Sequence, residues 1–307
     1  KQQRQRLDAF QDKLASLTFF DPACGSGNFL TESYVSLRRL ENQVIALRNK
    51  GQAVIGDFAN PVKVDIHQFY GIEINDFAVS VATTALWIAE QQMLQETEKI
   101  ASFQIKSLPL KAYHNIKEGN ALRIDWSEVI APEKLNYIMG NPPFVGLSLR
   151  TTAQQEDMDL IFKGNDRAGR LDYVAAWYRK AADYMQNTKI EAAFVSTNSI
   201  CQGEQVPILW EELFQKGIHI NFAYRTFIWQ SEASLKAHVH CVIVGFSYQE
   251  RAIKTIYENE IGKKVSQING YLVNADNVFI QLRGKANPNM PKLVQGNKPW
   301  DGGFLIL

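Results

Sequence analysis

The sequence predicts an α/β fold: a mostly parallel sheet covered by helices on both faces, closed by an antiparallel strand near its C-terminal end. Three observations lead there. Short apolar runs of strand character alternate with longer stretches of helical period, which implies parallel strands joined by helical crossovers. Three of those runs end in polar or glycine-bearing segments, the kind of loop found at the carboxyl edge of such a sheet. The region from 219 to 257 is instead dense in strands, with connections too short to hold a helix.

Residues before Leu17 read as a helix ending at Ala15-Ser16. A first strand over 17–21 runs into a glycine loop. A helix over 28–49 follows, with Leu30, Tyr34, Leu37, Val44 and Leu47 at helical spacing and a stop at Asn49-Lys50-Gly51. Residues 51–67 read as loop. A second strand, 69–74, ends at the cap signal Asn75-Asp76, and the helix 78–95 carries Val79, Ala82, Leu86, Ala89 and Met93 on one face. Further strands are expected at 115–118 and 136–139. Residues 145–170 mix charges with Gly146, Gly164 and Gly169 and read as a mobile active-site loop. A helix over 172–185, a strand over 190–196 and a helix over 206–215 come next. Strands at 219–224, 240–247 and 252–257 follow, the last two expected to pair as a hairpin. Three regions result: an N-terminal helical segment (1–16), a main domain (17–260), and a linker or the start of a further region (261–307) rich in Gly, Asn and Pro. The apolar end Phe304-Leu305-Ile306-Leu307 suggests a truncated polypeptide.

Bulk properties narrow the class. The 307 residues are 46% hydrophobic, enough for one large core, yet no apolar run reaches the roughly 18 residues a membrane span needs. The polar start Lys1–Arg6 lacks a following apolar stretch, so no signal peptide is read. Cys24, Cys201 and Cys241 are dispersed and odd in number, which points to a reducing cytoplasm with neither a disulfide framework nor a metal-ligand pattern. Net charge is +1, unlike a strongly basic nucleic-acid module. Arg283, Lys285, Lys292 and Lys298 form a local basic stretch, either a solvated loop or a phosphate contact.

Two segments carry chemistry. Asp21-Pro22-Ala23-Cys24-Gly25-Ser26-Gly27 joins the first strand to the next helix. Its glycines allow close backbone approach, and the following helix, starting at Asn28-Phe29, presents its positive end. A dinucleotide fingerprint would need a third glycine where Leu30 stands. Asp21 would repel a pyrophosphate but suits a cationic ligand such as the amino group and sulfonium of S-adenosylmethionine. Glu73, at the end of the second strand, can accept both ribose hydroxyls, with Ile74 beside it. Asp76 or Phe77 would flank the adenine, and Asn120, followed by Ala121, could bond the adenine amine. Cys24, with no histidine near it in sequence, reads as a packing residue.

Asn141-Pro142-Pro143-Phe144 follows the fourth strand, 120 residues after Asp21. An exocyclic amine delocalises its lone pair into the base. Two acceptors on its hydrogens, here the Asn141 side-chain carbonyl and the Pro142 backbone carbonyl, free that lone pair for in-line attack on a methyl group. The prolines stiffen the loop. Phe144 offers an aromatic face to a base drawn out of its helix.

With these segments the chain resembles the amino-methylating (N6-adenine) DNA methyltransferases of restriction–modification systems. It resembles in particular the fused type II enzymes that combine nuclease, methylase and target recognition in one polypeptide. Asp21–Gly27 is similar to that family's cofactor loop, Glu73 to its ribose acid and Asn141–Phe144 to its catalytic tetrapeptide. Asp172-Tyr173 begins the helix lining its cofactor pocket, and Phe222–Phe246, including Arg225–Trp229 and His238–His240, is similar to the end of its catalytic domain.

The resemblance implies a Rossmann-like S-adenosylmethionine-dependent methyltransferase fold. Its expected cofactor is S-adenosyl-L-methionine and its expected partner double-stranded DNA with a flipped target base. It implies a bacterial cytoplasmic location, with nuclease and target-recognition domains possible in the same polypeptide. Cofactor contacts are then expected from Asp21, Ala23, Gly25, Gly27, Asn28, Phe29, Glu73, Ile74, Asn120, Ala121, Asn141 and Asp172, and no metal. Asn120 departs from the Asp of many members. No nuclease set of clustered acids and a lysine is found here. Phe227 or Trp229 is either a second face for the flipped base or a core aromatic. Asn-Pro-Pro-aromatic also occurs in methylases of ribosomal RNA guanine or of a release-factor glutamine. An inactive cofactor-binding specificity subunit is a further alternative, against which the intact tetrapeptide argues. A cytosine ring-carbon methylase needs a Pro-Cys nucleophile, and Ile200-Cys201-Gln202 lacks the proline. Phe144 and the motif order favour the adenine amine over the cytosine amine.

Overall fold

The computed structural model describes residues 2–49, 61–101, 112–229 and 239–281. The basic stretch from Arg283 to Lys298, the apolar C-terminal end, His238 and most of the expected loop 51–67 lie outside the described residues.

The elements alternate as the sequence implies. Helix α1 (Gln2–Ser16) precedes β1 (Phe19–Asp21), α2 (Asn28–Asn49), β2 (Phe69–Glu73), α3 (Asp76–Ala101), β3 (Ile116–Glu118) and β4 (Tyr137–Gly140). Then come α4 (Thr152–Ile161), α5 (Ala175–Tyr184), β5 (Glu191–Thr197), α6 (Gln205–Gln215), β6 (His219–Trp229), β7 (Val239–Ser247), β8 (Lys254–Glu258) and β9 (Ile261–Val265). One sheet holds all nine strands in the order β3-β2-β1-β4-β5-β7-β6-β8-β9. The strands β3, β2, β1, β4 and β5 pair in parallel, and β7 is antiparallel to both β5 and β6. The chain starts mid-sheet, runs outward through β2 and β3, and returns to lay β4 against β1. That reversal leaves a crevice at the carboxyl ends of β1 and β4, the place where ligands bind in open α/β sheets.

The structure departs from the expected strand pairing and loops. The strands 240–247 and 252–257 do not form a hairpin. β8 instead pairs in parallel with β6 and antiparallel with β9, and β6 separates it from β7. The connection 248–253 passes over the end of β6, tied there by Asn221 Nδ2, which donates to Ser247 Oγ and to the Gln249 carbonyl. Six extended residues easily span the roughly 10 Å between alternate strands. Residues 145–170 contain a ten-residue helix, α4, started by a capping box between Thr151 and Gln154. Leu47, expected on the apolar face of α2, is exposed. The boundary expected at residue 260 falls in the β8–β9 turn, and the sheet continues to Val265.

Each face of the sheet has its own core. On one, α1 to α3 bury Leu14, Leu30, Tyr34, Leu37, Leu86 and Met93 against Phe69. On the other, α4 to α6 bury Met158, Trp177, Tyr178, Leu209 and Trp210 against Phe20, Ile138, Phe194 and Phe246. The first face also holds a fully buried ion pair, Arg38–Glu41. Glu41 accepts from Gln11 Nε2 of α1 at 2.7 Å and from the backbone of Lys63 and Val64, while Arg38 reaches Thr97 of α3 at 2.7 Å. This network joins three helices to one connection. Among the described residues no helix is long and apolar enough to cross a membrane.

Candidate active site

The cofactor-type loop is built by two glycines and two acids. After β1 the chain turns through Gly25 (φ +54°) and Gly27 (φ +81°), dihedrals that disfavour a side chain. At Gly27 space is also short, since a Cβ there would stand 2.9 Å from that of Ala82 on α3. The Thr31 amide donates to the Gly27 carbonyl at 2.8 Å and starts α2. Asn28 is exposed at its first turn, while Ala23 and Phe29 are half-buried.

Asp21 ends β1 and is buried, its Oδ1 accepting from the Ala23 amide at 2.9 Å. Burial pushes its carboxyl up to about 7; the Ala23 amide opposes this and the charge of Glu73 adds to it. Glu73 ends β2. Its Oε2 accepts from the Gly25 amide at 2.9 Å and its Oε1 from the Asn75 amide at 3.0 Å, so it shapes the loop while each oxygen keeps a lone pair for a ligand. Two carboxyls beside a helix start and a glycine turn form a cradle for a ligand bearing positive charge near its donors. Ile74 and Phe77 stand exposed beside it, at 67% and 74%. Cys24 is buried, and burial, Asp21 and Glu73 all push its thiol up, which removes its nucleophilic form.

Asn120 follows β3, next to the Glu73 strand end through the bond from the Gly119 amide to the Glu73 carbonyl. Its Oδ1 accepts from the Leu122 amide and its Nδ2 donates to Asp157 of α4, both at 2.9 Å. Ala121 is buried behind it.

Asn141 begins the loop after β4. Its Oδ1 is buried and has no hydrogen-bond partner among the described residues. An orphaned buried acceptor is costly, and one on a proline-stiffened loop invites a ligand donor. Pro142 is buried, Pro143 exposed, and Phe144 half-buried against the core. Asp172 secures this loop. Its Oδ1 accepts from the Val145 amide at 3.1 Å and its Oδ2 from Thr197 Oγ1 at 3.0 Å, and the Tyr173 amide donates to the Val145 carbonyl. Asp172 thereby links the Asn141 loop to the end of β5. Trp177 Nε1 donates to the Pro22 carbonyl at 3.2 Å and ties α5 to the other loop.

The sheet thus gathers the expected residues at one edge: Asp21, Glu73, Asn120 and Asn141 stand at the carboxyl ends of four neighbouring strands. Phe227 and Trp229 lie further along the sheet, in the outer part of β6. The sequence model of the MmeI DNA-methyltransferase domain matches residues 1–258. The chain belongs to that family. Its methyltransferase architecture is the one the motifs imply. The chain is 41% identical to DNA methyltransferase A of Bacillus subtilis (strain 168) over 98% of its own length and 35% of that protein. The structure superposes on the type IIL restriction–modification enzyme MmeI, solved in complex with DNA. The TM-score is 0.87 and the identity 44%, over 92% of this chain and 39% of MmeI. A nuclease-deletion mutant of the type ISP enzyme LlaGI shares the fold, with TM-score 0.50 and 14% identity, over 80% of this chain and 22% of that one. The chain therefore spans little more than a third of the length of its nearer relatives.

Within this MmeI-type domain several site residues escape sequence reasoning. Asp157, Trp177 and Thr197 act through contacts between elements distant in sequence. Arg150 donates to the Gly169 carbonyl, while its Nε and Nη1 are buried without a partner among the described residues. The Thr151-x-x-Gln154 capping box was the one local sign that α4, and with it Asp157, belongs to an ordered wall of the site.

Proposed function

We propose that this domain transfers a methyl group from S-adenosyl-L-methionine to the N6 amine of an adenine flipped out of double-stranded DNA, within a restriction–modification protein. The observation that carries the reading is Asn141 Oδ1: a buried acceptor with no hydrogen-bond partner among the described residues, on a Pro-Pro loop, one strand from Asp21.

The residues fit the cofactor by their chemistry. Asp21 would face its ammonium, Glu73 its ribose hydroxyls, Asn120 and Ala121 its adenine, with Ile74 beside the ring. Gly25, Gly27, Ala23, Asn28 and Phe29 would form the cradle. When bound, the sulfonium compound supplies an electrophilic methyl group. Asn141 Oδ1 and the Pro142 carbonyl accept the two amine hydrogens, draw the nitrogen toward tetrahedral geometry and aim its lone pair. Phe144 stacks on the extruded base, and Asp172 keeps the loop at its height. Because the leaving group is good, positioning supplies most of the acceleration. The proposal assigns the transfer step to this chain and leaves choice of DNA sequence, and any cleavage, to other parts of a longer polypeptide.

The test is to express the longest available form of the gene in a host lacking adenine methylation and analyse its DNA nucleosides by mass spectrometry. N6-methyladenine that disappears with Asn141→Ala is the expected result. N4-methylcytosine would replace the target base while keeping the mechanism, and unmethylated DNA beside a folded, cofactor-binding protein would overturn the reading in favour of an RNA or protein acceptor.

A further inference from the structure

Asp157 was not among the expected site residues, yet it is one of the most heavily used side chains near the crevice. It is 2% exposed. Its Oδ2 accepts from Asn120 Nδ2 at 2.9 Å and from Tyr173 Oη at 2.7 Å, and its Oδ1 accepts from Arg123 Nε at 2.6 Å. Burial works against its charge, but the bonds from Arg123, Tyr173 and Asn120 outweigh burial and hold the carboxyl below its ordinary range. The group is therefore an anion at neutral pH.

The consequence falls on Asn120. Its two amide atoms have partners of fixed polarity. The Leu122 amide can only donate, so it holds Oδ1, and an ionised carboxylate can only accept, so it holds Nδ2. The side chain has one orientation, with Oδ1 keeping a free lone pair beside the Glu73 strand end. A negative charge behind Nδ2 also polarises the amide and makes that oxygen a stronger acceptor.

We propose that Asp157 is a positioning residue that acts through Asn120, so that the pair reads the exocyclic amine of the cofactor's adenine and rejects a carbonyl oxygen at the same place. The inference rests on the cofactor reading above and adds to it a source of purine selectivity on a different helix. A purine with an amine donates to Oδ1, whereas one with a carbonyl sets oxygen against oxygen.

Calorimetry on the full chain with S-adenosylhomocysteine and its deaminated analogue S-inosylhomocysteine tests it. The wild type should prefer the adenine compound by about tenfold or more, as expected when a carbonyl oxygen in place of the amine leaves Oδ1 unpaired against another acceptor. Asp157→Asn should shrink that preference to about twofold. The exchanged double variant Asn120→Asp with Asp157→Asn keeps one bond and one charge, so it should fold and restore the preference even if Asp157→Asn alone does not fold. Equal weakening of both ligands in Asp157→Asn would show a merely structural role and overturn the inference, as would an unchanged preference or loss of discrimination in the exchanged variant. Absence of S-adenosylhomocysteine binding to folded wild type would overturn the cofactor reading itself, and this inference with it.

Discussion

The Asp21 carboxylate lies against Gly140, the residue before Asn141, so closely that a Cβ at Gly140 would stand 2.5 Å from Asp21 Oδ1. The acid that ends β1 and the loop that follows β4 thus share one contact across the β1–β4 pair. A methyl group at Gly140 cannot be accommodated while both keep their places. Gly140→Ala should weaken S-adenosylhomocysteine binding by about tenfold and lower stability by about 1–3 kcal/mol, the usual range for overpacking. Calorimetry and urea unfolding would measure both, and unchanged binding would refute the contact's role.

Asp21 also gives a pH dependence. Its folded value of about 7 lies above the ordinary 3.8. The cofactor-free protein therefore holds a proton that the unfolded chain releases. This contribution to stability is fully present below about pH 3.8 and is lost as pH rises through about 7. A cationic ligand needs the ionised form, so binding below pH 7 expels the proton. Affinity for S-adenosylhomocysteine should rise with pH up to about 7 and then level off, and Asp21→Asn should flatten the profile. Titrations at pH 6 in buffers of different ionisation enthalpy should show proton release for the wild type alone.

Asp172 holds Val145 and Thr197 together at the back of the Asn141 loop. Asp172→Ala should slow methyl transfer more than it weakens cofactor binding, with a stability loss of about 1–3 kcal/mol from the half-buried donors left unpaired. Single-turnover rates beside binding constants would show the split. A loss confined to cofactor affinity would make Asp172 a direct cofactor contact.

Far from the crevice, Arg38 and Glu41 are both fully buried. Glu41→Gln leaves the guanidinium uncompensated and should cost about 3–5 kcal/mol in urea unfolding. A loss below about 1 kcal/mol would mean that Thr97 and the Met93 carbonyl suffice to hold the Arg38 charge.

The legible parts of this protein are local. Asp21–Gly27 and Asn141–Phe144 announce themselves because a strand, a turn and a helix start must be encoded by adjacent residues, and the alternation of strands and helices has the same origin. What sequence reasoning loses is pairing between distant segments. The apolar runs at 240–247 and 252–257 look like neighbours, yet Asn221 and the β6 strand lie between them. The mixed charges of 145–170 look like a loop, but Asp157 is buried in mid-α4 and paired with Arg123 from the connection after β3. Leu47 has the period of a core residue at the end of α2, where the packing face has run out.

The central claim is that Asn141 Oδ1 accepts a hydrogen of the target amine. The most direct measurement is the single-turnover methyl-transfer rate of Asn141→Ala beside its affinity for S-adenosylhomocysteine. The account predicts a fall in rate of about 10²–10³, as for loss of one preorganised polar group, with affinity within about twofold of wild type. Equal loss of rate and affinity would place Asn141 in the cofactor site alone and contradict its part in the transfer.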